Sequence, residues 1–246
     1  MANPSNPYCL EVKNLVKSYG GRPVVNNLSF SVKKGEIVGL LGPNGAGKTT
    51  AFYMTVGLIR PEKGRVHFNE KDVTRLPIHE RARMGMGYLS QEPSIFRHLT
   101  VEQNVLCILE SLPYSKAERK RKLEELLNEL NLLPLAKKKA SSLSGGERRR
   151  LEITRSLVTA PSFLLLDEPF ANIDPLSIYE LKSMIRHLAK KEISILITDH
   201  NAREIFSIVN RSYLIADGKV LLSGTVEELV ANADARRTYL GEEFKL

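Results

Sequence analysis

Three short, mainly apolar runs predict the strands at the centre of the fold. They are IVGLL at 37–41, FLLLD at 163–167 and ISILIT at 193–198. Runs of this length without polar alternation are typical of strands that are buried on both faces of a parallel sheet. Helical patterns flank each run, so we expect an α/β protein with a parallel sheet.

Apolar and polar residues alternate near both ends of the chain. LEVKNLVKSY and VVNNLSFSV are joined through Gly20 and Gly21, and Asp217-Gly218 interrupts a second alternating stretch, RSYLIADGKVLLSG. Glycine-containing pairs between such stretches are strong signals for β-hairpins. We therefore expect antiparallel strands at the edges of the parallel centre.

The middle of the chain carries a helical pattern instead. In KAERKRKLEELLNELNL, one face of the predicted helix carries leucines at 123, 126, 127 and 130, and Ser115 with Glu118 forms a capping box at its start. The sequence thus predicts one domain over 1–246. Its core comprises about 1–91 and 161–246, and a helical subdomain is inserted at about 92–160.

Composition narrows the class of protein further. The chain has 246 residues, 42% of them hydrophobic, which is enough for a sizeable core. Cys9 and Cys107 have no metal-ligand spacing, and no stretch approaches the ~18 apolar residues of a membrane span. We expect a soluble, cytoplasmic protein. A net charge of +8 permits an anionic partner without identifying one.

A glycine-rich segment follows the first apolar run. GPNGAGKTT matches the pattern G-x-x-x-x-G-K-[ST] between a predicted strand and a predicted helix. In such a loop the backbone N–H groups surround phosphate oxygens, Lys48 reaches the β and γ phosphates, and Thr49 offers its hydroxyl to Mg²⁺. The predicted phosphate-binding residues are Gly42, Pro43, Asn44, Gly45, Ala46, Gly47, Lys48, Thr49 and Thr50.

Two adjacent carboxylates end the second apolar run. Asp167 would supply a ligand to Mg²⁺, directly or through water, and Glu168 would orient and deprotonate the attacking water. Neighbouring acids repel each other, so a cation is the expected reason for them. Without a phosphate loop, the sequence DEP could simply begin a turn.

Polar residues also follow two other predicted strands. His200 follows the third apolar run, and Gln91 follows GMGYLS. Ligands of α/β sheets bind at the carboxyl ends of the strands, so we predict that His200 contacts the γ-phosphate. A glutamine at a strand end is usually only solvated, and its position alone assigns Gln91 no role.

The segment LSGGERRRLE raises a separate question. Ser144 and Glu147 have the spacing of a capping box at the start of a helix. Gly145 and Gly146 in the first turn would each cost about 1 kcal/mol relative to alanine, and no packing argument requires them. We expect their N–H groups to form a second anion site. Two copies related by a two-fold axis could each bring this site to the other's nucleotide.

In this order, GPNGAGKTT, Gln91, LSGGE, LLLDEP and His200 resemble the nucleotide-binding subunits of ABC transporters over essentially the whole chain. The resemblance implies a P-loop NTPase fold: a RecA-like parallel core, an antiparallel β edge and an inserted α-helical subdomain. It also implies hydrolysis of ATP with Mg²⁺ in a head-to-tail homodimer. There, LSGGE of one subunit, with Ser144, Gly145, Gly146 and Glu147, caps the γ-phosphate bound by the other.

The same resemblance assigns roles to three further residues. Tyr19 would stack on adenine, an interaction worth roughly 1–3 kcal/mol by analogy with base stacking. Gln91 would act in catalysis and connect the Mg²⁺ site to the surface that receives the membrane subunits. Asp174 would lie at the dimer seam, although its position before Pro175 is equally suited to an N-cap. Both roles are compatible.

Longer stretches resemble one branch of this family. RARMGMGYLSQEPSIFRHLTVEQN, DEPFANIDP, TDHNARE and YLGEEFKL look like the ATPase subunits of lipopolysaccharide exporters. Two transmembrane permease subunits would then dock near Ser94, Ile95, Phe96 and Arg97. Ile95 and Phe96 would be either exposed anchors or core residues of the helical subdomain. The protein would reach the cytoplasmic face of the inner membrane only through these partners.

Two other functions remain open from the sequence. Subunits of branched-chain amino acid importers share much of the pattern, including the YLGE-like end. A soluble ATPase acting on nucleic acid or ribosomes would fit the positive charge, but the chain carries neither a long coiled coil nor a second cassette. We therefore expect no nucleic-acid partner.

Overall fold

Ten strands form the framework of the part of the chain that the structure describes. The computed structural model describes residues 7–242 and residue 244. Its strands are β1 (Tyr8–Tyr19), β2 (Arg22–Lys33), β3 (Ile37–Leu41), β4 (Lys63–Phe68), β5 (Lys71–Asp72), β6 (Met86–Leu89), β7 (Phe163–Asp167), β8 (Ser194–Thr198), β9 (Arg211–Ala216) and β10 (Lys219–Gly224).

Helices connect and cover these strands. They are α1 (Lys48–Val56), α2 (Ile78–Arg83), α3 (Val101–Leu109), α4 (Lys116–Glu129), α5 (Gly145–Leu157), α6 (Pro175–Lys190), α7 (Ala202–Phe206), α8 (Val226–Ala231) and α9 (Ala233–Ala235). 3₁₀ turns lie at Leu133–Leu135 and Ala140–Ser142, and a π-helical turn lies at Arg236–Leu240. No helix in the described part of the chain is long and apolar enough to cross a membrane.

The central sheet confirms the predicted parallel core. Its strand order is β10-β9-β3-β8-β7-β6, and the pairs from β9 to β6 are all parallel. Every residue of β3, β7 and β8 is buried, as their apolar runs predict. Because neighbouring parallel strands end at the same edge, the residues that follow β3, β6, β7 and β8 meet there; we call this the catalytic edge.

The antiparallel strands differ in part from the prediction. β10 does form an antiparallel edge of the central sheet, paired with β9 through the Asp217-Gly218 turn. The N-terminal strands form a separate four-stranded sheet, β2-β1-β4-β5, so the expectation that they flank the parallel centre is wrong. Alternating apolar and polar residues indicate a strand with one buried face. They do not indicate which sheet the strand joins.

Three clusters of buried side chains hold these layers together. One joins the N-terminal sheet and α1 to the central sheet, and a second joins the central sheet to α6 and the C-terminal helices. The third contains residues of α3, α4 and α5, among them Val105, Leu127 and Leu151. The predicted capping box of Ser115 and Glu118 begins α4. The bounds of the helical subdomain at about 92–160 stay a prediction.

Candidate active site

The glycine-rich loop turns tightly between β3 and α1. Gly47 has φ +97°, and a Cβ at this position would lie 2.5 Å from the carbonyl oxygen of Val24. Only glycine fits there, because other residues disfavour this φ and the neighbouring backbone leaves no room. The sequence therefore folds as the strand, loop and helix that its pattern predicts.

Lys48 directs its side chain back into this loop. Its Nζ donates to the carbonyl oxygens of Gly42 at 2.7 Å and Pro43 at 3.0 Å. Burial lowers the pKa of Lys48, while Glu168 and Asp167 act in the opposite direction. Residues 43–45 and Thr49 are exposed, whereas Ala46 is buried. The loop thus presents exposed backbone, a cation and a hydroxyl, the groups that a polyphosphate requires.

Asp167 ends β7 with its side chain almost fully buried. Two causes raise the pKa of its carboxyl group to about 6: burial is the larger, and the charge of neighbouring Glu168 is the second. The Tyr88 hydroxyl lies 3.5 Å from Asp167 Oδ2. Arg149 and Lys48 lower this pKa and offset the rise only in part. A buried carboxylate beside a second acid therefore still favours a further cation, which supports the prediction that a metal ion binds here.

The donors around Asp167 fit Mg²⁺ in their chemistry. Thr49, Gln91 and Asp167 offer hydroxyl, amide and carboxylate oxygens, the hard ligands that Mg²⁺ prefers. Residues 7–242 and 244 contain no cluster of three or more His, Cys, Asp or Glu side chains that could by itself hold a metal ion. Mg²⁺ commonly takes only one or two carboxylates and completes its shell with water and substrate phosphates.

Glu168 lies where three strands of the central sheet end. Its side-chain Oε2 accepts a hydrogen bond from Gln91 Nε2 at 2.9 Å, and His200 Nδ1 lies 3.6 Å from the same oxygen. The backbone N–H of Glu168 donates to the carbonyl oxygen of Thr198 at 2.9 Å. The structure thus brings together the three residues that the sequence predicts as catalytic, although Gln91 and Glu168 are 77 positions apart.

Asp199 is a residue of the site that the sequence analysis missed. Its buried carboxylate accepts hydrogen bonds from the backbone N–H groups of Asn201 at 3.0 Å and Phe170 at 3.3 Å. Its Oδ1 also lies 3.4 Å from His200 Nδ1. Burial raises the pKa of Asp199. An acid at the end of an apolar strand, as at Asp167, was the signal that could have identified it.

The start of α5 has the predicted cap. The Glu147 backbone N–H donates to Ser144 Oγ at 3.2 Å, and the Ser144 N–H donates to Glu147 Oε2 at 2.7 Å. The expectation that packing does not require the glycines is wrong for Gly146. A Cβ there would lie 2.2 Å from Ser177 Oγ, because α5 and α6 approach each other closely. At Gly145 the nearest atom is Ile173 Cγ2 at 3.2 Å.

Gly145 also lines a small open cleft with Gln91 and Glu168. The cleft has a volume of about 160 Å³, which is below the ~300 Å³ at which pockets for small molecules begin. Its lining includes no residue of the fully described loop 42–50. Within a single chain, therefore, this cleft joins Gly145 to Gln91 and Glu168 but not to the phosphate loop.

The two remaining residues of the predicted nucleotide site are both exposed. Tyr19 lies at the tip of the β1–β2 hairpin with 51% of its surface exposed, and Lys17 Nζ lies 5.4 Å from its ring centroid. Asp174 is the N-cap of α6 and accepts a hydrogen bond from the Ser177 backbone N–H at 3.0 Å. The predicted cap is confirmed, and the predicted roles in binding stay predictions.

The two candidate anchors in the predicted docking segment, residues 94–99, differ in exposure. Phe96 is 50% exposed, whereas Ile95 is buried in the cluster formed by α3, α4 and α5. Of the two alternatives that the sequence left open, Ile95 is therefore a core residue and Phe96 is exposed. The Arg155 guanidinium lies 4.9 Å from the Phe96 ring centroid. Ser94 and Arg97 are exposed, so three of the four predicted docking residues are accessible.

Comparisons with known proteins agree with this geometry. The family model of the ABC transporter matches residues 25–171, more than half of the chain. The lipopolysaccharide export system ATP-binding protein LptB of Acidithiobacillus ferridurans is 54% identical over 96% of this chain and 98% of its own length. LptB of Escherichia coli K12 is 47% identical over 96% and 99%. The ADP conformation of MJ1267, an ATP-binding cassette of an ABC transporter, has a TM-score of 0.86, 29% identity and coverage of 96% and 100%.

Proposed function

This chain belongs to the ABC transporter family, and from that membership we propose that it is the ATP-hydrolysing subunit of a lipopolysaccharide exporter. The meeting of Gln91 and His200 at Glu168 carries the enzymatic part of the proposal. Relatives at 47–54% identity over nearly their whole length are named for lipopolysaccharide export, and these names support lipopolysaccharide as the transported substrate.

The side chains of the catalytic edge divide the chemistry among them. Lys48 and the backbone N–H groups of the phosphate loop bind the phosphates, and Glu168 accepts the proton of the attacking water. His200 contacts the γ-phosphate, and Gln91 orients the Glu168 carboxylate. Mg²⁺, held by Thr49, Asp167 and Gln91, would neutralise charge on the phosphate oxygens. The products are ADP and phosphate.

Two copies of the chain form the complete site in this proposal. The small cleft of one chain is lined by Gly145, Gln91 and Glu168 but by no residue of its own phosphate loop. A two-fold related copy brings Ser144, Gly145, Gly146 and Glu147 to the γ-phosphate instead. Tyr19 stacks on adenine, and Asp174 faces the seam while it caps α6. ATP binding closes the pair, and hydrolysis with product release opens it.

In this proposal, the closing and opening of the dimer is transmitted to two transmembrane permease subunits. They dock at Ser94, Phe96 and Arg97, where an exposed aromatic ring beside the Arg155 guanidinium is the kind of anchor that dominates such interfaces. The subunit then works at the cytoplasmic face of the inner membrane and is held there through these partners.

Gentle detergent purification from the native membrane, followed by identification of the co-purifying proteins, tests the proposal. We expect permease subunits of lipopolysaccharide export, retained by the unsubstituted chain and lost with Phe96→Ala. Leu133→Ala is the matched control, because Leu133 is an exposed apolar residue outside the docking segment. Co-purification of amino acid permeases would assign the chain to an importer. Nucleic acid retained without any membrane protein would contradict both transport functions.

A further inference from the structure

Helix α5 carries an ion pair whose two side chains are both buried. Arg149 Nη1 lies 2.8 Å from Glu152 Oε2, and the two side chains are only 8% and 3% exposed. Removing two charges from water is costly unless their remaining hydrogen-bonding groups are also satisfied. The further contacts of this pair therefore indicate what its geometry holds in place.

The guanidinium of Arg149 reaches two elements of the catalytic edge. Its Nη1 donates to the carbonyl oxygen of Ser90 at 2.9 Å, and its Nη2 donates to that of Asp167 at 3.0 Å. Ser90 directly precedes Gln91, and Asp167 directly precedes Glu168. One planar group thus fixes the backbone before both members of the Gln91–Glu168 hydrogen bond.

The carboxylate of Glu152 reaches in the opposite direction. Its Oε1 accepts a hydrogen bond from the backbone N–H of Ser94 at 3.1 Å, while Oε2 remains with Arg149. One turn further along the helix, Arg155 Nη1 donates to the Ser94 carbonyl oxygen at 2.5 Å. The first residue of the docking segment is therefore held through both of its backbone polar groups by α5.

We propose that Glu152 and Arg149 are positioning residues that couple the docking segment to Gln91 and Glu168. This inference rests on the proposed function, because it assigns the docking segment to membrane subunits. A displacement of Ser94 shifts Glu152 Oε1, and Arg149 follows because Glu152 is the only ion-pair partner within 4 Å that the described residues give it. The carbonyl oxygens of Ser90 and Asp167 then move together. The state of the membrane subunits thereby changes the orientation of the Glu168 carboxylate.

Glu152→Gln tests this coupling without changing the size of the side chain. A glutamine has one oxygen and one amide nitrogen, so it cannot accept hydrogen bonds from Ser94 and Arg149 with separate oxygens. The measured quantity is the ratio of kcat for MgATP in the complex with its membrane subunits to kcat of the subunit alone. Glu180→Gln is the matched control. Glu180 of α6 pairs with Arg150 of α5, and no hydrogen bond or ion pair described joins it to the docking segment.

We expect Glu152→Gln to lower this ratio by about fivefold, within the range of known coupling effects. The KM for ATP should change by less than about twofold and co-purification should be unchanged. Glu180→Gln should keep the ratio. A purely structural role would lower both rates by the same factor and leave the ratio intact, and that result would overturn the proposal. Loss of co-purification would also overturn it, since Glu152 would then support docking itself.

Arg149→Lys provides a second route if Glu152→Gln does not fold. Lysine keeps the charge beside Glu152 but lacks the planar fork that joins the two carbonyl oxygens, so the same ratio should fall. An unsubstituted complex with the same kcat as the isolated subunit would overturn the coupling while leaving ATP hydrolysis established. Absence of ATP hydrolysis in every preparation would instead overturn the proposed function, and the coupling with it.

Discussion

The side-chain amide of Gln91 donates a 2.9 Å hydrogen bond to Glu168 Oε2 and so joins the segment after β6 to the end of β7. A general base needs a fixed orientation and a proton-accepting oxygen. Glu168→Gln removes the base while keeping the shape of the side chain. ATP should still bind, and kcat should fall by about 10²–10⁴-fold. Steady-state turnover and calorimetric titration with ATP measure the two effects.

Glu92→Gln is the control for that substitution. Glu92 is exposed and follows Gln91 directly, so the variant has the same change of charge near the site without touching Glu168. Its turnover should stay within about twofold of the unsubstituted protein, as expected for an exposed residue. Near-normal turnover in Glu168→Gln would remove Glu168 from the role of general base.

The two glycines of α5 should respond differently to alanine. At Gly146 the added Cβ meets Ser177 Oγ at 2.2 Å and Ser177 Cβ at 2.5 Å, so overpacking should destabilise the fold by about 1–3 kcal/mol. At Gly145 the nearest contact is the Ile173 Cγ2 methyl at 3.2 Å, which a small shift relieves, so stability should be kept or slightly raised by the better helix former. Urea unfolding measures both.

A second substitution identifies the cause at Gly146. Ser177→Gly removes both clashing atoms, so it should restore part of the stability lost in Gly146→Ala. For ATP hydrolysis we expect an effect at Gly145 that is not caused by unfolding. Gly145→Ala should fold normally but hydrolyse ATP more slowly, because its Cβ obstructs the approach of the γ-phosphate. Normal turnover in Gly145→Ala would contradict a role for that N–H group in binding.

Asp174 allows its two predicted roles to be separated. Asp174→Ala removes the N-cap of α6 and should cost about 1 kcal/mol, whereas Asp174→Ser keeps a capping oxygen and should cost much less. If Asp174 also contacts the partner copy, both variants should weaken the ATP-bound dimer. Chemical unfolding and sedimentation of the two variants give the answer. Normal dimers in Asp174→Ser would leave the residue with its capping role alone.

The raised pKa of Asp167 makes a prediction about stability and pH. Its carboxyl pKa of about 6 in the folded protein exceeds the ordinary value of 3.8, so the folded state binds the proton more tightly. Stability from this group is therefore present below pH 3.8 and is lost as the pH rises through about 6. Without metal and nucleotide, Asp167→Asn should be more stable than the unsubstituted protein at pH 7.5, by about 1–3 kcal/mol.

Asp167→Asn should lose its greater stability at acidic pH. Below about pH 4 both side chains are neutral, so the two proteins should have similar free energies of unfolding. Its ATP hydrolysis should be strongly reduced at every pH, since the amide is a poorer ligand for Mg²⁺. Urea unfolding at both pH values checks the sign. A difference in stability that does not depend on pH would show that the buried charge is not its cause.

The sequence predicts the central sheet and the catalytic edge well because the relevant signals are local. A buried run followed by a glycine-rich loop or by acids places a strand end directly, and parallel pairing then brings Glu168, His200 and Gln91 together. The sheet to which β1 and β2 belong depends on packing between distant segments, which alternation along one strand does not encode.

The positions that the sequence left open, missed or misassigned depend on tertiary contacts. The burial of Ile95 requires the cluster of α3, α4 and α5 to fold over the docking segment. The need for glycine at 146 arises from the approach of Ser177, which lies 31 positions further along the chain. Asp199 is buried because it caps two backbone N–H groups after the strand end. None of these contacts leaves a periodic pattern in the sequence.

Sedimentation of Glu168→Gln with saturating MgATP tests most directly whether Ser144, Gly145 and Gly146 of a second copy complete the nucleotide site. Blocked hydrolysis should trap the closed state, so the account predicts a particle of twice the chain mass that returns to monomers when ATP is removed. Gly145→Ala in the same background should weaken this dimer. An ATP-bound protein that stays strictly monomeric at high concentration would contradict the account.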